Sequence, residues 1–338
     1  MQALYAYIGN ELPKINERLD LCIQRLDPYV QPIARHVLDA GGKRLRPLLT
    51  LLSYRAFGAG TADPYSLALS LELLHSATLL HDDILDSARL RRGRPSAHLE
   101  FGKQMTILGG DALLALGNRL VAEYGDPRLT IAISDGIMRT AAGEIREIAQ
   151  VGNMRLNDAE YLEIVTGKTA YLIEAATRFG ATLGGAGDAD VENAAQFGLS
   201  LGIAFQLVDD ALDYAASEEE AGKSVAADLR EGKATLPLIL YMEAAEQAEL
   251  QRLQELMQRI GAGEAAAAGG AYRDMSEEDL QEVIATVQRV REAGAVERTR
   301  AMAGSYAQAA RKHLEGFPAS PETDLLGEAL EYVVQRNK

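Results

Sequence analysis

The stretch LELLHSATLLHDDILDSARLRRGRP, residues 71–95, joins an apolar run to an acidic cluster and then to a basic one. Its leucines and alanines recur at helical spacing on most faces, which predicts a helix buried among other helices. Asp82 and Asp86 fall one turn apart near the end of this run, with Asp83 beside them. The stretch therefore predicts a buried helix that ends in three converging carboxylates.

The rest of the chain shows the same helical periodicity and no convincing alternating strand. Clusters of Gly and Pro separate the apolar segments and indicate helix ends. The low-complexity stretch GAGEAAAAGG, residues 261–270, predicts a surface loop between late helices. We therefore expect an all-α protein, a large helical bundle that forms a single domain over residues 1–338. The clearest helical segments lie at 66–86, 104–124, 157–180 and 190–214.

Composition excludes several classes of function. The 338 residues carry a formal net charge of −15, which argues against a surface for nucleic acid or an anionic membrane. Cys22 is the only cysteine, so an intrachain disulfide and a thiolate metal cluster are both excluded. The amino-terminal segment lacks the features of a signal peptide, and no apolar run reaches the length of a transmembrane segment. We expect a soluble, cytoplasmic protein that binds anionic ligands through local basic patches.

A second acidic cluster, FQLVDDALD, repeats the spacing of the first with Asp209, Asp210 and Asp213. Carboxylates near the carboxyl end of a helix oppose its dipole and repel one another, so the arrangement needs a positive partner. Oxygen ligands without His or Cys are typical of Mg²⁺ sites that also hold phosphates. One such cluster alone would be equally typical of a solvated helix end. Two copies on apolar helices favour catalytic Mg²⁺.

Basic residues are concentrated in two short segments, GGKRLRP at 41–47 and ARLRRGRP at 88–95. Arg grips phosphate oxygens through paired N–H donors, and Lys adds a compact charge, so these segments suit a diphosphate. Lys168 in GKTA, and Lys223 and Lys233 after the second acidic cluster, are further candidates for phosphate contact. We find neither P-loop spacing nor a nucleophile pattern. The chemistry must therefore come from metal and substrate.

His75 and Thr78 precede Asp82 by two turns and one turn of the same helix face. We expect both to face a substrate cavity. A lone His on a helix is more often a core residue, so periodicity alone favours the core for His75.

These motifs, in this order, resemble the trans-isoprenyl diphosphate synthases, also called the polyprenyl synthetase family. The resemblance rests on GGKRLRP, HSATLLHDDILDSARLRRGRP, GKTA, FQLVDDALDY and DLREGKATLP, and extends to YVVQRNK. It implies an all-α bundle around a deep central cavity, usually in a homodimer. It also implies Mg²⁺-dependent ionisation of an allylic prenyl diphosphate, followed by attack of isopentenyl diphosphate on the carbocation.

The resemblance assigns roles residue by residue. Mg²⁺ would be held by Asp82, Asp86 and Asp209, with support from Asp83, Asp210 and Asp213. Contacts with the allylic diphosphate or its reacting end are implied for Arg91, Lys168, Thr169, Gln206, Lys223 and Lys233. The isopentenyl diphosphate site is implied for Lys43, Arg46, His75 and Arg92. Catalysis would depend most directly on Asp82, Asp86, Asp209, Lys168 and Arg91. The chain departs from the family pattern at Ala226, where Gly is frequent, and at Glu147, where Gln is frequent.

Product length should depend on the residues one turn below Asp82, which are Ala77 and Thr78. In the family, bulky side chains there stop chain growth, so these small ones predict a medium or long product, such as an octaprenyl chain for a quinone tail. A bulkier residue deeper in the bundle would shorten the product, and the candidates are Ile133, Ile137 and Met138. The alternatives are a farnesyl or geranylgeranyl diphosphate synthase, a terpene cyclase, and a noncatalytic partner subunit. The two intact aspartate motifs argue against the last two.

Overall fold

The computed structural model describes residues 1–58, 60–215, 226–267 and 275–336, and of residues 261–267 it describes the backbone alone. The predicted all-α class is confirmed, because helices make up nearly all of the regular structure in these ranges. The helices are α1 (Gln2–Ile23), α2 (Gln31–Leu38), α3 (Leu45–Ala56), α4 (Tyr65–Leu85), α5 (Ala97–Phe101), α6 (Lys103–Ala122), α7 (Pro127–Gln150), α8 (Asp158–Val165), α9 (Tyr171–Gly184), α10 (Asp188–Ala215), α11 (Ala227–Arg230), α12 (Leu236–Ala244), α13 (Gln247–Ala267), α14 (Glu277–Glu292), α15 (Ala295–Leu314) and α16 (Pro321–Gln335). A π-helical segment, Thr166–Ala170, separates α8 from α9.

The chain forms two compact units, each assembled from separate parts of the sequence. Unit 1 comprises Met1–Met138, Tyr171–Leu199 and Ala310–Glu331. Unit 2 comprises Arg139–Ala170, Ser200–Ala309 and Tyr332–Lys338. Four helices, α7, α10, α15 and α16, contribute residues to both. The single domain expected from the sequence stays a prediction.

Unit 1 is built around α4, which is apolar on nearly every face. Leu69, Leu73 and Leu80 are almost completely buried, and burying each leucine side chain contributes roughly 1.5–3 kcal/mol. Helix α6 packs along α4 at short range, since a Cβ on Gly117 would lie 3.0 Å from the Ser70 carbonyl oxygen. This packing fixes α4, and with it the acidic motif at its carboxyl end.

Helix α3 is fixed in the same unit by its contact with α9. The Ser53 hydroxyl donates to the Thr177 carbonyl at 2.8 Å. A Cβ on Gly180 would collide with the Thr50 carbonyl, so only glycine permits this approach of the two helices. Because the basic loop at 41–44 leads directly into α3, the contact also positions that loop.

Unit 2 depends on two further close approaches of backbone. A Cβ on Gly143 in α7 would collide with the backbone of Gly167 and Lys168 in the π-helical segment. A Cβ on Gly202 in α10 would collide in the same way with Ala170. Glycine at these positions therefore brings α7, the π-helical segment and α10 together.

Two local features differ from the sequence expectations. A two-residue hairpin pairs Leu90–Arg91 (β1) with Arg94–Pro95 (β2), where the sequence predicted no strand. Strands this short produce no readable alternation. The loop predicted at 261–270 is wrong for its first part, because α13 continues to Ala267. Its run of alanines has high helix propensity, which outweighs the glycines.

One helix in the described ranges, α6, is long and apolar enough to cross a membrane by length and composition alone. Its buried side packs on α4, and the core helix of a folded domain passes the same test. Asp111 and Arg119 lie on its exposed side. The helix is therefore weak evidence for a membrane span, and the absence of a transmembrane segment stays a prediction.

Candidate active site

The first acidic motif lies at the carboxyl end of α4 in unit 1. Asp82 and Asp83 are in the last turn, and Asp86 directly follows the helix. Asp83 is buried and accepts a hydrogen bond from Arg91 Nε at 2.7 Å. Asp82 and Asp86 are half-buried. The middle aspartate is thus turned into the protein, and Arg91 is the positive partner that the sequence requires.

Arg91 is positioned by the short hairpin that follows the motif. The turn between its strands consists of Arg92, with φ 52°, and Gly93, with φ 77°. Positive φ at both central residues is typical of a type I′ hairpin turn. The left-handed conformation costs a residue other than glycine roughly 1–2 kcal/mol, so the surrounding structure must hold Arg92 in place. The hairpin therefore presents a constrained pair of arginines beside the acidic motif.

The basic loop before α3 meets this hairpin. A Cβ on Gly42 would lie 3.0 Å from Arg92 Nη1, so the guanidinium group packs against the loop backbone. Arg44, also left-handed at φ 48°, is buried and donates to Glu72 and to the Leu38 carbonyl, both at 2.6 Å. The buried ion pair anchors the loop to α4.

Arg46 and His75 lie in the same basic region. The Nε atom of Arg46 is buried and makes no hydrogen bond to any described residue. Burial lowers the pKa of His75 well below its usual value, and the charges of Arg46 and Arg92 lower it further. His75 is therefore neutral at pH 7 and offers an N–H donor rather than a charge. Lys43 is exposed on the adjoining loop.

The residues expected to control product length differ in burial. Ala77 is fully buried in the core of unit 1. Thr78 is half-buried, and its hydroxyl donates to the His75 carbonyl at 2.9 Å. Ile133 is buried, whereas Met138 is 62% exposed, which removes Met138 as a buried floor within one chain. Thr78 is the better placed of the two small residues to contact a substrate.

Unit 2 contains a cavity of about 110 Å³ lined by both polar and apolar side chains. Five residues assigned from the sequence share its wall: Lys168, Thr169, Gln206, Asp210 and Lys233. The apolar part of the wall includes Val151, Leu156, Ile164 and Val165. Lys223, assigned to the same diphosphate, lies outside the described residues.

Lys168 owes its position to the π-helical segment. Such segments are rare and frequently mark functional sites. The approach of Gly143 to Gly167 seats this segment against α7, so Lys168 reaches two glutamates of α7. Its Nζ lies 2.5 Å from Glu147 and 3.0 Å from Glu144. Burial lowers the pKa of Lys168, but the glutamates more than offset this effect and hold it above its usual value.

Glu147 also reaches the second lysine of the cavity. Lys233 Nζ lies 3.4 Å from Glu147 and 2.9 Å from Glu231. Both lysines are therefore paired with carboxylates.

A chain of hydrogen bonds leads from the π-helical segment to the second acidic motif. Thr169 donates to Gln206 Oε1 at 2.9 Å, and Gln206 Nε2 donates to Asp210 Oδ1 at 2.7 Å. The Tyr161 hydroxyl donates to the other carboxylate oxygen of Asp210. Burial raises the pKa of Asp210 to about 7, although the bonds from Tyr161 and Gln206 lower it, and the charge of Asp209 adds to the increase. The middle aspartate of this motif is thus also turned inward.

The outer aspartates of the second motif have other partners. Asp213 accepts from the backbone N–H groups of Ala227 at 3.1 Å and Asp228 at 3.2 Å, at the start of α11. Asp209 is exposed and accepts from Arg336 Nη2 at 2.7 Å.

The segment that Asp213 caps begins in a left-handed conformation, with Ala226 at φ 49°. This conformation gives a physical reason for the family's frequent Gly at that position, because glycine adopts it without strain. The departure at Ala226 therefore changes backbone strain and adds no side-chain chemistry.

The carboxylate oxygens of the two acidic motifs are suitable ligands for Mg²⁺, although the carboxylates are not close together. No three acidic, His or Cys side chains among the described residues are grouped closely enough to hold a metal ion. The predicted convergence of three carboxylates is not seen in either motif, because Asp83 and Asp210 point into the protein. Asp82, Asp86 and Asp209 remain as hard oxygen donors at half-buried or exposed positions, which suits an ion that keeps several waters.

The family model described as Polyprenyl synthetase matches residues 27–274, a range that includes both acidic motifs and every basic segment named above. The chain belongs to the polyprenyl synthetase family. It is therefore a prenyltransferase with the isoprenoid synthase fold, as the resemblance implied.

Members of the family are similar to this chain over its whole length. The heptaprenyl diphosphate synthase component 2 of Geobacillus stearothermophilus is 32% identical over 100% of this chain and 99% of its own. A decaprenyl diphosphate synthase structure from Rhodobacter capsulatus has a TM-score of 0.87 at 33% identity, covering 99% of this chain and 98% of its own. A polyprenyl synthase from Caulobacter crescentus CB15, in complex with calcium and isoprenyl diphosphate, has a TM-score of 0.87 at 34% identity, with 100% and 98% covered.

The names of the relatives support the predicted medium or long product. Octaprenyl and nonaprenyl diphosphate synthases occur among them beside the heptaprenyl and decaprenyl enzymes, although geranylgeranyl diphosphate synthases occur as well. The main function predicted from the sequence, chain elongation to a medium or long polyprenyl diphosphate, is thus supported over its short-chain alternative.

Sequence reasoning missed Arg336, Tyr161 and Glu144. Arg336 lies 127 residues from Asp209, and Tyr161 lies 49 residues from Asp210, so no local spacing connects either pair. Glu144 is separated from Lys168 by the end of α7 and the whole of α8. A signal for Arg336 was present, since it stands within the YVVQRNK segment that extends the family resemblance.

Replacing Asp210 by Asn should make the free energy of unfolding less dependent on pH. Because the folded pKa of about 7 lies above the unfolded value near 3.9, the folded state binds more protons between these values. The wild type should therefore lose stability as pH rises through this window, by up to about 1.4 kcal/mol per pH unit, whereas Asn stays neutral. Denaturant unfolding at pH 5, 6 and 7 would measure the difference.

The matched control is Glu163→Gln, the same exchange at an exposed carboxylate of α8. A difference between Asp210→Asn and the wild type that stays constant from pH 5 to 7 would contradict the raised pKa.

Proposed function

We propose that the protein condenses isopentenyl diphosphate with an allylic prenyl diphosphate in a Mg²⁺-dependent reaction that yields a medium or long all-trans polyprenyl diphosphate. The unit 2 cavity carries this proposal. Its wall combines five residues that the sequence assigned separately to the allylic diphosphate or its metal: Lys168, Thr169, Gln206, Asp210 and Lys233.

The cavity offers what a departing diphosphate needs. The ammonium groups of Lys168 and Lys233 can hold its oxygens, and the Thr169 hydroxyl adds a donor. These groups stabilise the negative charge that develops as the carbon–oxygen bond breaks. Mg²⁺, when bound by the aspartates, would neutralise further charge on the diphosphate. The double bond of isopentenyl diphosphate attacks the allylic carbocation left behind and forms the new carbon–carbon bond. A proton then passes to the departed diphosphate, which restores an allylic product.

The basic region of unit 1 fits isopentenyl diphosphate. The buried Nε of Arg46 makes no hydrogen bond within the described residues, and a phosphate oxygen would satisfy it. Arg92 and Lys43 add charge from the neighbouring turn and loop. Neutral His75 can add an N–H donor without increasing the repulsion among the arginines.

The requirement for a divalent cation has two supports. The aspartate motifs supply only hard oxygen donors, which favour Mg²⁺. The related polyprenyl synthase from Caulobacter crescentus was solved with calcium and isoprenyl diphosphate, an association of cation and diphosphate that we extend to this chain.

The proposed product length follows from Thr78 and Ala77. Small side chains below the first motif leave room for a growing chain, and an octaprenyl product for a quinone tail is our proposal within that range. Ala77 is fully buried, so its contribution is to leave the neighbouring packing undisturbed.

We propose that two copies form a homodimer, in which each chain forms a single functional domain. Unit 1 exposes large apolar side chains that a monomer rarely presents together. On α6 these are Met105 and Leu108, one turn apart, and on α7 they are Ile131 and Met138, two turns apart. A cytoplasmic location stays a prediction from the sequence.

The first experiment incubates the purified protein with Mg²⁺, farnesyl diphosphate and labelled isopentenyl diphosphate, and sizes the dephosphorylated products by chromatography. We expect a ladder that ends at a medium or long chain and disappears when EDTA replaces Mg²⁺. Asp82→Ala should lower turnover by about a hundredfold or more, because it removes a metal ligand.

Each other outcome identifies an alternative. A product that stops after one addition would indicate a geranylgeranyl diphosphate synthase. No incorporation with primers of several lengths would indicate a noncatalytic partner subunit and contradict the proposal.

Thr78→Tyr should shorten the longest product, because the ring would block the space below the first acidic motif. Thr78→Val is the matched control, since it keeps the volume and shape and should leave the length distribution unchanged. Ala77→Tyr would be a poor probe, because overpacking a fully buried position costs about 1–3 kcal/mol. An unchanged ladder for Thr78→Tyr would show that growth does not pass this residue.

Sedimentation velocity of the purified protein should give twice the mass of one chain. Met138→Asp should shift the protein toward the mass of one chain, because it places a charge among the apolar side chains proposed as the interface. A wild type that sediments as a single chain at micromolar concentration would rule out a stable homodimer.

A further inference from the structure

Charges in the unit 2 cavity do not favour a free anion. The ammonium groups of Lys168 and Lys233 are already contacted within 3.4 Å by three carboxylates, those of Glu144, Glu147 and Glu231. A diphosphate carries several negative charges, so lysines alone would have to attract it past the carboxylates. The cavity therefore has the residues of a diphosphate site, but the carboxylates in contact with its two lysines outnumber them.

Glu147 holds a particular place in this arrangement, because it contacts both lysines. It lies 2.5 Å from Lys168 and 3.4 Å from Lys233. Two further carboxylates contact the lysines, Glu144 at 3.0 Å from Lys168 and Glu231 at 2.9 Å from Lys233. Removing Glu147 would therefore take one carboxylate away from each lysine at once, while Glu144 and Glu231 stay in contact.

Replacing Glu147 by Gln separates the effect of its charge from the effect of its shape. Gln has nearly the same size and can accept a hydrogen bond from the lysines, but it carries no charge. The exchange thus alters the electrostatics of the cavity and leaves its shape almost unchanged.

We infer that Glu147 is the resting counter-ion of Lys168 and Lys233 and makes diphosphate binding in this cavity conditional on a divalent cation. An incoming diphosphate must compete with Glu147 for both ammonium groups and is repelled by the carboxylate that it displaces. A divalent cation bound to the diphosphate cancels that repulsion. The inference rests on the proposed function, since it concerns the same diphosphate site.

The dependence of diphosphate binding on a cation would prevent unproductive binding during the reaction. A metal-free diphosphate, whether substrate or released pyrophosphate, would not occupy the lysines unproductively. Only the complex of diphosphate and cation, in which the leaving group is already neutralised, would bind tightly.

The test measures the binding of inorganic pyrophosphate by isothermal titration calorimetry, with EDTA and then with Mg²⁺, to the wild type and to Glu147→Gln. In EDTA the variant should bind about tenfold more tightly than the wild type, because each lysine then has one carboxylate fewer beside it. With Mg²⁺ the two proteins should differ much less. Glu147→Ala, which also removes the carboxylate, is the second variant and should show the same gain in EDTA.

Glu163→Gln is the matched control. Glu163 is exposed on α8, pairs with Arg146 and does not line the cavity, so the same chemical exchange should leave pyrophosphate binding unchanged. Thermal unfolding of each protein establishes that the comparison is made between folded chains.

Two results would overturn the inference. Equal affinities of folded Glu147→Gln and wild type in EDTA would show that Glu147 does not limit anion binding. Weaker binding by the variant in Mg²⁺, without a gain in EDTA, would show that Glu147 serves the metal rather than the lysines. Failure of the proposed function is separate, because it would appear as absence of chain elongation by the wild type itself.

Discussion

Compensation of buried charge is the constraint on which this structure depends. An ionised side chain removed from water is tolerated only when a partner of opposite charge or several hydrogen bonds replace the lost hydration. In unit 1 the pairs Arg44–Glu72 and Arg91–Asp83 meet this condition. In unit 2 it is met by Lys168 with two glutamates and by Asp210 with two hydrogen-bond donors. The helices must be placed so that these partners meet, and that requirement links packing to chemistry.

Glycine makes such placement possible. Backbones can carry polar groups of distant helices into one cavity only if they approach more closely than side chains usually allow. Gly143 and Gly202 let α7 and α10 approach the π-helical segment, and Gly180 does the same for α3 and α9. The positions of Lys168 and of the basic loop therefore depend on residues with no functional groups of their own. Conversely, the left-handed residues Arg92 and Ala226 show where the chain tolerates strain beside the acidic motifs.

The sequence predicted those features that are repeated or local. Helical periodicity over long segments predicted the all-α class, and the ordered motifs predicted five of the residues that line the unit 2 cavity. The two-residue strands at 90–95 were not predicted because they are too short to show an alternating pattern. Arg336 and Tyr161 were not predicted for a different reason, since only tertiary folding brings their partners near. The inward orientation of Asp83 and Asp210 also could not be predicted from spacing. Spacing places residues on a helix face but does not determine the hydrogen-bond partner of each side chain.

Arg336 has a practical consequence for work with this protein. Its guanidinium group lies over the Phe205 ring at 4.2 Å, donates to the Phe205 carbonyl and contacts Asp209 of the second acidic motif. Only two residues would separate it from a purification tag fused after Lys338. A fusion at Met1 would instead disturb an ion pair with Glu328 in unit 1. Expression vectors that place the tag at the amino terminus therefore leave the acidic motif closer to its native surroundings.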